Sequence, residues 1–108
     1  MKGKIVLISF PFTDLTATKL RPALILYESE KDVVAAFISS KSKNPKTTDI
    51  LIEENHPDFK HTGLKVASVI KLDKVATISK ELLLGEIGEV NKRLKDEINR
   101  RIISIYCF

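Results

Sequence analysis

Residues Phe10–Ser40 read FPFTDLTATKLRPALILYESEKDVVAAFISS. A threonine-rich stretch without hydrophobic period leads into Arg21-Pro22 and then into a wholly apolar run, Ala23–Tyr27. A tight polar turn, Glu28–Asp32, separates it from a second apolar run, Val33–Ser40, that ends on two serines. So short a connection makes the two runs an antiparallel hairpin. Pro22 is placed at the start of its strand, where a missing N–H is tolerated. The hairpin brings Arg21 and Ser39 to the same end of the sheet, so a permanent cation opens one strand and a hydroxyl closes the next.

Outward from this hairpin the chain keeps the rhythm of short strands. Lys4–Phe10 is apolar on both alternating sets, Val6, Ile8 and Phe10 against Ile5 and Leu7, and predicts a strand covered on both faces. Phe12–Leu20 and Lys41–Thr47 are loops, the second of them basic. Asp49–Glu54 alternates as a half-exposed edge strand, and Asn55–Lys65, which holds both histidines, is a loop. Val66–Ile78 is rich in β-branched residues and long enough to bend across two sheets. Ser79 caps one helical turn, Lys80–Leu82. Leu83–Val90 is a short strand with Gly85 and Gly88 as bend or bulge points. Asn91 is an N-cap, after which Leu94, Ile98, Ile102 and Ile105 recur at helical spacing. The expectation is a single domain, residues 1–108, mainly β with one C-terminal α-helix packed on a small curled sheet or barrel. Strands apolar on both faces exceed what one such interior needs, which predicts a homodimer.

Composition sets limits on function. The chain has 108 residues, 44% hydrophobic and 30% charged, as an ordinary globular domain does. No apolar run reaches the roughly 20 residues of a membrane helix, and the N-terminus lacks a small-residue cleavage site, so no membrane role and a cytoplasmic location are expected. Cys107 is the single cysteine, which excludes an internal disulfide and reads as a packing residue. The net charge of +4 favours anionic partners, nucleic acid first.

The N-terminal GKIVLISFPF, the KLRPALIL and AAFISS strands, the Gly63-Leu64 pair, the segment SVIKLDKVATISKELL and the C-terminal helix together resemble the MazF/PemK (Kid) toxins of bacterial type II toxin–antitoxin systems. They cover nearly the whole chain in that family's order. The resemblance implies an SH3-like small β-barrel of the MazF/CcdB type, dimeric, that cuts single-stranded RNA without a metal or other cofactor and is neutralised by an acidic antitoxin. On that match Arg21 falls on the family's catalytic arginine and Ser39 on a position usually held by threonine. The Arg-x-Asp pair of the Kid-like branch reads Lys71-Leu72-Asp73 here. Thr18, Lys19, Ser40, Lys41, Lys43 and Lys46 are the RNA-contacting candidates.

The residue types suit the implied chemistry. Cleavage by the substrate's own 2′-OH needs a proton acceptor, stabilisation of charge on the phosphoryl group, and help for the departing 5′-oxygen. Arg21 presents a planar fork to phosphate oxygens. Ser39 can donate a hydrogen bond to a phosphoryl oxygen or orient the 2′-OH. Asp73 can accept a proton. Each has a plain structural alternative: Arg21 paired with Asp14, Ser39 and Ser40 as ordinary strand-end hydroxyls, Lys71 paired with Asp73, and the lysine loop merely solvated. His56 and His61 lack a third ligand in a motif and read as loop residues, with no metal site. Two other functions compete: a CcdB-like gyrase poison, which needs no catalytic arginine, and a catalytically inactive basic SH3-like module that binds nucleic acid.

Overall fold

The computed structural model describes residues 1–11, 18–40 and 44–108. Its strands are β1 (Lys4–Pro11), β2 (Thr18–Glu28), β3 (Asp32–Ser40), β4 (Asp49–Ile52), β5 (Ser68–Ser79) and β6 (Leu83–Glu89). A short α1 (Phe59–Thr62) precedes β5, a 3-10 turn (Lys80–Leu82) joins β5 to β6, and α2 (Lys92–Tyr106) ends the chain. The strands form one six-stranded sheet in the order β4-β5-β3-β2-β1-β6, and every recorded pairing is antiparallel.

The sheet is open. No ladder joins its edges, β4 and β6, among the described residues, so the architecture shown is a curled sheet with a helix rather than a closed barrel. Bulges supply the curl. Against β1, the β6 register skips at Leu84 and at Ile87, beside the two glycines read as bend points. Against β3, the β5 register jumps from Lys71 opposite Phe37 to Val75 opposite Ala36. Leu72, Asp73 and Lys74 therefore have no partner on β3, and the long strand is interrupted there within one sheet rather than bending across two.

Both faces of the sheet are buried, each by a different device. On one, Leu24, Ile38, Ile50, Ile70 and Leu72 pack beneath Leu94 and Ile98 of α2. On the other, Val6, Ile8, Ala23, Ile25 and Val33 close on Ile78 as the sheet folds over itself. Full burial of each of these leucine, isoleucine and valine side chains is worth about 1.5–3 kcal/mol. The two-faced apolar strands are thus satisfied inside one chain, so they no longer require a second subunit.

Several local expectations are corrected. β2 begins at Thr18, so Pro22 lies within the strand, not at its start. β3 pairs with β2 only from Ala23 onward, and at Pro22 the recorded partner is Leu7 of β1 alone. A residue without an N–H fits where one flank carries no ladder. β4 is an edge strand as expected, but Asp49, Ile50 and Ile52 are buried rather than half-exposed. The 55–65 stretch holds a helical turn, α1, closed by Gly63 at φ +74°. A Cβ at Gly63 would sit 2.1 Å from the Ile87 carbonyl oxygen, and one at Gly88 would sit 2.2 Å from the Thr62 carbonyl carbon, so α1 lies backbone to backbone on β6.

The α2 cap differs as well. Asn91 makes no side-chain capping bond. Asp58 supplies one from 36 residues away: its Oδ2 accepts from the Leu94 N–H at 2.9 Å. His56 holds Asp58 in turn, its Nδ1 accepting from the Asp58 N–H at 3.0 Å while its Nε2 meets Glu97 of α2 at 3.2 Å. Ser79 does cap its turn, accepting from the Glu81 N–H at 3.3 Å. Cys107 is exposed rather than packed.

Candidate active site

Strand alternation and register decide which candidates share a face. Ala23 faces Phe37, Phe37 faces Lys71, and Lys71 faces Asp49. One row of side chains therefore crosses four strands. Two residues on along β2 comes Arg21, and two residues on along β3 comes Ser39, which faces Val69 and, beyond it, Leu51. Arg21 is half-buried and faces Ile8 across the β1–β2 ladder. Arg21, Ser39, Phe37, Lys71 and Asp49 thus lie on the sheet face turned away from α2, at the end of the sheet where β2 starts and β3 finishes. For Arg21 and Ser39 that is the convergence which the hairpin predicts.

The hydroxyls are modestly engaged. Ser39 is half-buried, and its Oγ donates to the Ser40 carbonyl at 3.4 Å, a long bond that a better acceptor could displace. Ser40 is exposed and faces Ser68. Lys19 is exposed on the same strand as Arg21, and Thr18 opens that strand. Lys41 and Lys43 lie outside the described residues, as does Asp14, the structural alternative for Arg21.

The Lys71-Leu72-Asp73 segment is arranged differently from a simple ion pair within one strand. Lys71 Nζ lies 3.9 Å from Asp49 Oδ1, and Asp73 Oδ2 lies 3.8 Å from Lys46 Nζ. Each member reaches across to the β4 side. Asp73 sits in the bulge with its side chain 32% exposed, so its carboxylate is open to a proton donor. Lys46, with its side chain 64% exposed, brings one charge of the basic loop to the site's margin.

Asp49 lies on the same face and is not singled out by the sequence reading. Its side chain is 1% exposed. A buried acid at the first position of an edge strand carries no local signal, because its cationic neighbour, Lys71, comes 22 positions later. Arg101 of α2 braces the same turn, donating through Nη1 to the carbonyls of Thr47 and Asp49, the latter at 2.9 Å. Beside this turn a cleft of about 530 Å³ is lined by Pro45, Lys46, Thr47, Leu51, Arg101 and Ser104. The histidines stand apart from the site, His56 beside the Asp58 cap of α2 and His61 within α1. Among the described residues no group of three or more His, Cys, Asp or Glu side chains is placed to hold a metal ion.

Comparison with known proteins places the chain in a family and a fold. The sequence profile of the PemK-like, MazF-like toxins of type II toxin–antitoxin systems matches residues 1–106. No curated protein matches the sequence significantly. Among solved structures, the Mycobacterium tuberculosis toxin MazF-mt6 superposes with a TM-score of 0.72 at 22% identity, over 94% of this chain and 93% of that one. An endoribonuclease from a mycobacterial species, solved in complex with its cognate antitoxin, gives 0.71 at 17% identity, over 96% and 91%. A mycobacterial endoribonuclease gives 0.69 at 17%, over 96% and 88%. At these identities the likeness is one of fold.

Proposed function

Since this chain belongs to the PemK-like, MazF-like toxins of type II toxin–antitoxin systems, we propose that it is a toxin endoribonuclease that cuts single-stranded RNA without a metal ion. The observation that carries the reading is the placement of Arg21, Ser39 and Lys71 on one face of three consecutive strands of the sheet, with Asp73 and Lys46 at its edge. In the proposed reaction the 2′-oxygen of one nucleotide attacks the adjacent phosphorus. The P–O5′ bond breaks, giving a 2′,3′-cyclic phosphate and a 5′-hydroxyl. The 2′-OH proton passes to Asp73, the carboxylate of the site that is open to solvent, and the leaving 5′-oxygen takes a proton from water or from the Arg21 side. Arg21 serves first as an electrostatic clamp on the non-bridging oxygens, since a guanidinium presents a permanent charge and a planar fork and gives up a proton only reluctantly. Ser39 donates to a phosphoryl oxygen, and Lys71 adds a second positive charge.

RNA is held by phosphate charge at Lys19, Lys46, Lys41 and Lys43, with Thr18 and Ser40 beside them. An acidic antitoxin is the proposed protein partner, fitting the basic excess and the antitoxin-bound relative. A homodimer is proposed on the large apolar side chains that the chain leaves in solvent, among them Leu20, Tyr27, Leu84 and Ile103, each more than half exposed. No helix among the described residues is long and apolar enough to cross a membrane, and the proposed site of action is the cytoplasm. Incubation with a long single-stranded RNA in EDTA, followed by mapping of the ends, tests the reading. Cyclic phosphate and 5′-hydroxyl ends are expected. Activity lost in EDTA and restored by a divalent ion would overturn the mechanism.

A further inference from the structure

We propose that Asp49 is a positioning residue for the cleavage site, its buried carboxylate holding the Lys71 ammonium on the face shared with Arg21 and Ser39. The proposal rests on the reading of that face as an RNA-cleavage site. Its starting point is an imbalance between the two oxygens of one carboxylate. Oδ2 accepts from the Lys46 N–H at 2.9 Å, and the Asp49 N–H returns a bond to the Lys46 carbonyl at 3.0 Å, which closes the turn into β4. Among the described residues Oδ1 is buried without a hydrogen-bond partner, and the positive charge paired with it is Lys71 Nζ at 3.9 Å.

The turn needs only an acceptor at Oδ2, which a neutral asparagine would supply equally well. The negative charge is therefore surplus to local structure. Burying a charge is costly, and pairing it with lysine seldom improves on an apolar pair of the same volume. What the charge does accomplish is directional. Asp49 and Lys71 are directly opposed in the β4–β5 ladder, so the anion sits on the β4 flank of the lysine. An ammonium has three donors, and this contact takes up at most one. The other two are left for phosphate oxygens, and the Lys71 side chain is 27% exposed, so its tip reaches solvent.

Other groups compete for this lysine, which is why holding it matters. Asp73 lies two residues along the same strand and Phe37 stands across the β3 ladder. Lys46 Nζ stands 3.8 Å from Asp73 Oδ2, beyond hydrogen-bond distance, so the Asp73 carboxylate can still accept from a second ammonium. Were Asp49 neutral, Lys71 would be free to swing to Asp73, removing one cation from the phosphate and masking the proposed proton acceptor at once. The turn that carries Asp49 is fixed from behind by Arg101, so the anion is held by backbone rather than by a mobile loop. Misplacing a reacting or stabilising group by about 1 Å can cost on the order of 100-fold in rate.

The test is a cycle of Asp49→Asn, Lys71→Gln and the double variant, read in three ways on the intact protein. Single-turnover cleavage should fall roughly 10- to 100-fold in Asp49→Asn, with affinity for a 2′-deoxy-blocked RNA nearly unchanged. The double variant should be no slower than Lys71→Gln, and it keeps the cycle readable should Asp49→Asn alone fold poorly, because a neutral pair then replaces an unmatched one. In the absence of RNA, ¹⁵N relaxation of the lysine ammonium groups should show Lys71 ordered in the parent and mobile in Asp49→Asn. If Asp49→Asn cleaves like the parent, or the two single effects multiply, the proposal falls while the nuclease reading stands. An equally ordered Lys71 ammonium in Asp49→Asn overturns it whether or not RNA is cut. A parent that cuts no RNA overturns the nuclease reading itself, and the catalytic role of Asp49 with it.

Discussion

Asp58→Ala should unfold this protein more readily than any substitution at the apparent helix cap, Asn91. The Asp58 carboxylate is buried, accepts from the Leu94 N–H at 2.9 Å and faces the positive end of the α2 dipole. Loss of an N-cap costs about 0.5–2 kcal/mol. Leaving a buried N–H without a partner costs about 1–3 kcal/mol, and here the two figures describe the same bond rather than adding. The expected loss is about 2 kcal/mol, which for a domain of this size lowers Tm by roughly 8 °C. Asp58→Asn keeps an acceptor and removes only the charge–dipole part, so about 0.3–1 kcal/mol should be lost. Asn91→Ala, which removes no capping bond, should stay within about 0.5 kcal/mol of the parent. Urea titration followed by far-ultraviolet circular dichroism measures all three. An Asn91→Ala variant as unstable as Asp58→Ala would refute the reasoning, because the cap would then be local after all.

Two further outcomes are expected. Arg21→Lys keeps the charge but loses the planar fork, so single-turnover cleavage should fall by roughly 100-fold or more while RNA affinity changes little; Ser39→Ala should cost less, and Arg21→Lys cleaving at the parent rate would make Arg21 structural. Glu28, bonded to Lys80 at 2.7 Å and to the N-terminal ammonium at 2.8 Å, has its pKa lowered from the usual 4.5 to about 2. A depressed carboxylate stabilises the fold above its unfolded pKa and loses that contribution as pH falls through the folded one. Glu28→Gln should therefore narrow the stability gap to the parent as pH drops from about 4.5 towards 2, and a gap of constant size in acid titrations of both proteins would refute the assignment.

What the sequence made legible was what depends on near neighbours. Alternation placed the strands, the short polar turn fixed the hairpin, and the hairpin brought Arg21 and Ser39 to one end of the sheet. Ser79 could be read as a cap because its acceptor and donor are two residues apart. The features that escaped are joined across long stretches of chain. Asp58 caps a helix 36 residues away, and the buried charge of Asp49 has meaning only beside Lys71. Likewise the apolar strands reveal two covered faces, but not that one cover is α2 and the other the sheet's own curl. Closure into a barrel could not follow from strand count, since it depends on whether β4 and β6 meet, and among the described residues they are the two open edges.

The bulge in β5 shows why the site lies where it does. Between Lys71 and Val75 the strand gives up its ladder to β3, leaving the Leu72 backbone in need of other partners. The Leu72 N–H donates to the Thr48 carbonyl at 3.0 Å, on the β4 side, and the Leu72 carbonyl accepts from the Tyr106 hydroxyl of α2. A bend that frees side chains to project is thus held by two elements that lie outside the β3 ladder. Arg101 reaches from the same helix to the Thr47 and Asp49 carbonyls, one residue either side of Thr48. The last two turns of α2 therefore grip both strands that carry the ion pairs, Lys71–Asp49 and Asp73–Lys46. A helix that looks from its periodicity like a simple cover for the core is also the brace that sets where the proposed proton acceptor, Asp73, and the Lys71 cation stand relative to Arg21.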